Sequence, residues 1–107
     1  MKHLSPDEIR EIEVPMLNDV QRKLRAALAR LDGGRAWTKD GPDSEKGTYC
    51  TITATRNYSD IGVTSALKRA LGTRYIDDVF NWNDAPERTF ADVEALYHRA
   101  ITLAATP

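Results

Sequence analysis

The sequence predicts a helix-dominated α+β domain: a long N-terminal helix, a small β-hairpin and two or three further helices around one core. Three observations predict it. Apolar residues recur every three or four positions from Ile9 to Leu31, from Val63 to Leu71 and from Phe90 to Ala104, the period of a helix with one buried face. Between Arg35 and Thr55 that period disappears, and β-branched residues flank a turn rich in Gly and Pro. No internal repeat, linker or low-complexity tract divides the chain. Its 107 residues therefore read as a single domain over 1–107, long enough to bury roughly two thirds of the unfolded surface without metal or disulfide staples.

Ser5-Pro6-Asp7-Glu8 has the spacing of a capping box with Pro at the first helical position, and Leu4 can staple onto Ile9. A helix is expected from Pro6. Its stripe of Ile9, Ile12, Met16, Val20, Leu24, Leu28 and Leu31 keeps period across Pro15, so either one kinked helix or two abutting helices run to Leu31, where Gly33 and Gly34 end them. Residues 36–55 are expected to form the hairpin, with Ala36-Trp37-Thr38-Lys39 and Thr48 to Thr53 as strands around the Asp40–Gly47 turn. Ile61 to Leu71 is helical again, capped by Thr64 or Ser59 and stopped by Gly72. Ile76, Val79 and Phe80 mark a short helix leading into Trp82-Asn83-Asp84. There Asp84 and Glu87, with Pro86 between them, have capping-box spacing for one further turn. Thr89 with Asp92 caps the last helix. Leu24, Leu67, Phe80 and Trp82 are the expected centre of the core, with the Trp82 indole N–H bonded to a loop carbonyl.

Trp82-Asn83-Asp84, Thr89, Val93, Leu96 and Arg99-Ala100-Ile101 together resemble an uncharacterised family of small bacterial and phage proteins, a domain of unknown function. That family pattern also has a tryptophan after the first long helix and a cysteine opening a Cys-x-x-Gly-Ala helical segment, for which Trp37 and Cys50 are the counterparts. Here Cys50 is followed by Thr51-Ile52-Thr53-Ala54-Thr55, without the glycine, and these residues favour a strand where the resemblance implies a helix. The resemblance implies a fold, a structural part for Trp37, Cys50, Trp82, Asn83, Asp84 and Thr89, and no reaction.

Charge nearly balances, and a pI near 6.1 is far from the basic footprint of a dedicated nucleic-acid domain. The distribution is uneven: Arg22, Lys23, Arg25, Arg30, Arg35 and Lys39 face only Asp32 between Val20 and Lys39. Bases toward a helix end follow the macrodipole, so a solvated face explains them. A helix-turn-helix reading of Ser65–Gly72 fails because the second helix would lead with Asp77 and Asp78 toward a polyanion. No run approaches the roughly 20 apolar residues of a membrane span. The acid-rich start lacks a secretory leader and a lone cysteine forms no internal disulfide, so a cytoplasmic setting is expected.

Two histidines and one cysteine make no structural zinc set, no glycine loop has the context of a phosphate cradle, and no cofactor is called for. Glu94 and His98 are spaced for an exposed i,i+4 contact, and Cys50 is by default a small buried hydrophobe. The leading expectation is thus a non-enzymatic protein-binding module, carried on a phage or other mobile element as the resemblance implies and acting on a host protein. Its candidate interaction surface is Arg22, Arg25, Arg30, Lys68 and Arg69 with Asp43 and Glu45 of the polar loop. The alternatives are a nucleic-acid-associated protein using the basic face, and a small enzyme with a site near Cys50 and His98.

Overall fold

The computed structural model describes residues 17–56 and 60–105. Four α-helices, α1 (Asp19–Arg30), α2 (Ile61–Leu71), α3 (Ile76–Asp84) and α4 (Phe90–Ala104), are joined by short turns that include three 3-10 segments. No strand occurs among the described residues, so the domain is all-α and the expected α+β class is corrected. α4 packs against α2 and α1, and the core between them is built from Leu24, Leu31, Ile52, Leu67, Val79, Val93 and Tyr97, none of them exposed to solvent. Leu24 and Leu67 lie at its centre as expected, whereas Phe80 and Trp82 pack on its edge, half-buried.

The expected helix start at Pro6 and its kink at Pro15 lie outside the described residues. The helix that reaches Leu31 begins at Asp19, because Asn18 is extended and its side chain accepts from the Gln21 amide while the Gln21 side chain accepts from the Asn18 amide. A single helix running unbroken to Leu31 is thereby excluded. This reciprocal cap satisfies amides that hydrophobic periodicity does not register. The same two side chains also donate across the core, Asn18 Nδ2 to the Ala104 carbonyl (2.7 Å) and Gln21 Nε2 to the Ile101 carbonyl (2.9 Å). One pair of residues thus caps the start of α1 and the end of α4. Asn18→Ala is expected to destabilise the domain by about 1–2 kcal/mol in a denaturant titration, at the upper end for a cap because two helix termini lose a partner.

After Leu31 the chain turns through Asp32 and Gly33, both with positive φ, and Gly34 at φ +99°. A Cβ on Gly34 would meet the Phe90 ring at 3.0–3.2 Å, so only glycine lets this corner pass beneath the start of α4. The expected hairpin is replaced by one isolated parallel bridge, with Thr38 N donating to Tyr49 O and Tyr49 N to Ala36 O (both 2.8 Å). The threonines that favoured a strand bond locally instead. Thr53 Oγ1 accepts from the Cys50 amide, Thr55 Oγ1 donates to the Ile52 carbonyl, and residues Thr53–Thr55 close into a 3-10 turn packed on α1. Side-chain bonds to the nearby backbone offer an alternative to a ladder, and here that alternative prevails.

α2 is capped by Asp60, whose carboxylate accepts from the Val63 amide, rather than by Thr64; Ser59 lies outside the described residues. A left-handed Gly72 ends it, with its own amide and that of Thr73 returning to the last-turn carbonyls. Gly62 allows α1 to approach, since a Cβ there would stand 2.7 Å from Val20 Cγ2. α3 runs further than expected and contains Trp82-Asn83-Asp84 as its last turn, so Asp84 ends a helix rather than capping one. A turn over Ala85–Arg88 follows, and the Thr89–Asp92 capping box forms as predicted.

Candidate functional site

Placing Asn83 in the last turn of α3 aims its side chain inward, where it is fully buried. Its Oδ1 accepts from Trp37 Nε1 (2.8 Å), Thr51 N (2.9 Å) and Thr51 Oγ1 (2.7 Å), and its Nδ2 donates to the Thr38 carbonyl and the Asp84 carboxylate (both 3.1 Å). One amide therefore holds both limbs of the 36–56 segment against α3. Asp84 extends the network by accepting from the Asp40 amide at 3.0 Å, which stabilises the positive φ of Asp40. From the other side the buried Tyr97 hydroxyl donates to the Thr51 carbonyl. Among the described residues every buried side-chain nitrogen and oxygen has a partner.

Aromatic contacts frame this network. The Trp37 ring lies 6.1 Å from that of Phe90, and the Lys39 ammonium stands 5.7 Å from the Trp37 ring and bonds to the Pro86 carbonyl. The Arg88 guanidinium stacks on Trp82 at 4.1 Å, donates to the Trp82 carbonyl at 2.7 Å and reaches Asp92 at 3.6 Å. It is the Trp37 indole N–H, not that of Trp82, that reaches a buried acceptor. The structure brings Trp37, Asn83 and Asp84 together, with Trp82 and Thr89 at the margin. The hub role of Thr51 and the contribution of Tyr97 were not read from the sequence; both look like ordinary strand or core residues there.

Cys50 is almost fully buried, and its sulfur accepts from the amide and hydroxyl of Thr53 at 3.4 and 3.5 Å. His98 stands exposed on α4. The two are not brought to one surface, and no group of three or more His, Cys, Asp or Glu among the described residues converges as a metal site. The network joins amide, hydroxyl and indole groups and the Asp84 carboxylate, and it positions the backbone of the 36–56 segment against α3.

The charged candidates separate into engaged and free. Arg30 donates to the Ala54 carbonyl, and Asp43 folds its own loop by accepting from the Glu45 amide at 3.0 Å. Lys68 is half-buried. Lys23 bridges Asp60 (2.6 Å) and Asp19 (3.1 Å), and these bonds raise its pKa above the usual lysine value. The Lys23 ammonium and the Val63 amide in turn hold the Asp60 carboxyl below the ordinary range. Arg22, Arg25 and Arg69 are exposed and make no ion pair among the described residues, and Glu45 is exposed on the loop.

An all-α domain whose Trp-Asn-Asp element fastens a loop to a helix defines a structural class. Residues 16–103 match the profile of a family of unknown function (DUF6197), and the chain belongs to that family. No curated protein and no solved structure matches it. Among the described residues no helix is long and apolar enough to cross a membrane.

Proposed function

We propose that the domain is a non-enzymatic protein-binding module that presents the outer face of α1 to an acidic partner surface. The observation that carries this reading is the contrast along α1: Lys23 and Arg30 are engaged, whereas Arg22, opposite Leu24 and Leu31, and Arg25, beside them, stand exposed without an ion-pair partner among the described residues. Exposed Ala26 and Ala29 share that side and leave it flat, so a partner can approach both guanidinium groups closely. Glu45 on the polar loop offers a second point of contact. On this reading the protein originates on a phage or other mobile element, and its partner is a host protein in the cytoplasm.

The test is capture from a lysate of the native host on the tagged protein, with and without nuclease and at low and high salt, beside the double variant Arg22→Glu/Arg25→Glu. A stoichiometric protein that survives nuclease and is reduced about tenfold or more by the charge reversal is the expected result. Capture that requires nucleic acid and falls steeply with salt would replace this reading with that of a nucleic-acid-associated protein.

A further inference from the structure

We propose that the cleft between α1, α2 and the end of α4 receives a single aliphatic side chain of a protein partner, presented beside a carboxylate that pairs with Arg69. The cleft has a volume of about 210 Å³ and is lined by Val20, Gly62, Ser65, Ala66, Arg69 and Ala104. Sites for drug-sized ligands and cofactors occupy about 300–1,000 Å³, so the space suits one side chain better than a nucleotide or coenzyme. Ala66 and Ala104 keep the walls low enough for a partner backbone to come close, and Gly62 lets Val20 close one side.

Charge selects the rest of the ligand. The lining contains one cation and no acid, and the acids at the starts of α1 and α2, Asp19 and Asp60, both hold Lys23. A structural duty for Arg69 at the negative end of α4 is also filled, because Asn18 and Gln21 already donate to the Ala104 and Ile101 carbonyls. The guanidinium is left exposed at the wall of a hollow that also presents the aliphatic side chains of Val20, Ala66 and Ala104, an arrangement complementary to a carboxylate next to an aliphatic group. Ile61, 79% exposed, stands one residue before Gly62 and one turn from Ser65 on α2, and it offers further apolar surface on that helix. This inference shares with the binding-module reading the premise of a protein partner, and it places a contact away from Arg22 and Arg25.

The probe is a phage-displayed library of random dodecapeptides selected on the wild-type protein, followed by amide-resolved NMR titration of the recovered peptides. The expected peptides carry Asp or Glu beside Leu, Ile, Val or Met and shift the amides of Val20, Gly62, Ala66 and Ala104. Their affinity is expected to fall about tenfold or more in Ser65→Phe, which fills the cleft, and in Arg69→Glu, and to persist in Arg22→Glu/Arg25→Glu. Should Ser65→Phe fail to fold in a thermal melt, the exposed Arg69→Glu alone decides. Failure to recover any peptide, shifts that map to the outer face of α1, or unchanged affinity in Arg69→Glu would each overturn the cleft as a docking site. A lysate partner captured through Arg22 and Arg25 would survive those outcomes, so the two proposals fail separately.

Discussion

Replacing Asn83 with leucine is expected to be the most damaging conservative-volume change in the domain, lowering stability by about 4 kcal/mol and the melting midpoint by roughly 15 °C or more. The shape is nearly kept, so the loss comes from the groups left behind. Trp37 Nε1, Thr51 N and Thr51 Oγ1 lose their shared acceptor, and the Thr38 carbonyl loses a donor, around a centre at Asn83 and Thr51 that is closed to solvent. Each unsatisfied buried group costs about 1–3 kcal/mol, with the total held below the sum because the 36–56 segment can relax. Against the roughly 5–15 kcal/mol of a typical domain this is a large fraction. Asn83→Asp discriminates further: it keeps the acceptor but turns the donor into a second acceptor facing the Thr38 carbonyl and the Asp84 carboxylate. Its deficit relative to wild type should shrink as pH falls and a carboxyl is protonated. Equal stability of Asn83→Leu and wild type in guanidinium titrations would show that the network is not what holds the loop.

The network also explains which parts of the fold were legible in the sequence. α2 and α4 were read correctly because each carries a full helical stripe, and Thr89 with Asp92 fixes the start of α4 by a local, reciprocal contact. Asn18 and Gln21 have the same kind of spacing, and the apolar stripe that continues past them through Met16, Val20 and Leu24 masks it. Residues 48–55 failed for a different reason. Their β-branched composition reports what a strand tolerates, whereas their conformation is decided by Thr53 and Thr55 bonding to the local backbone and by Thr51 meeting a residue 32 positions away. Trp82-Asn83-Asp84 was singled out by type, yet its role depends on helix phase: as a turn it would expose Asn83, and as the last turn of α3 it buries it. On the candidate surface, sequence separated basic from acidic residues but could not tell engaged from free. That distinction needs the Ala54 carbonyl under Arg30 and the Asp60 carboxylate beside Lys23.

The same network predicts a sharp sensitivity to alkali through Tyr97. Its hydroxyl is enclosed in the core and donates to the Thr51 carbonyl, and burial, more than its neighbours, pushes its pKa far above the ordinary value of 10.0. In the unfolded chain it ionises near that ordinary value, so above about pH 10 the unfolded state binds fewer protons than the native state. The sign is then fixed: the contribution of Tyr97 is fully present below pH 10 and is lost as pH rises beyond it, at about 1.4 kcal/mol per pH unit. Tyr97→Phe isolates the effect from other alkaline titrations. At neutral pH the variant should be less stable by about 1–2 kcal/mol, because the Thr51 carbonyl loses its donor. Above pH 10 it lacks this slope, so the stability curves of variant and wild type should converge and meet between about pH 10.5 and 11.5. Parallel curves in urea titrations across that range would mean that the hydroxyl ionises in the native state, and that the core around Thr51 admits water.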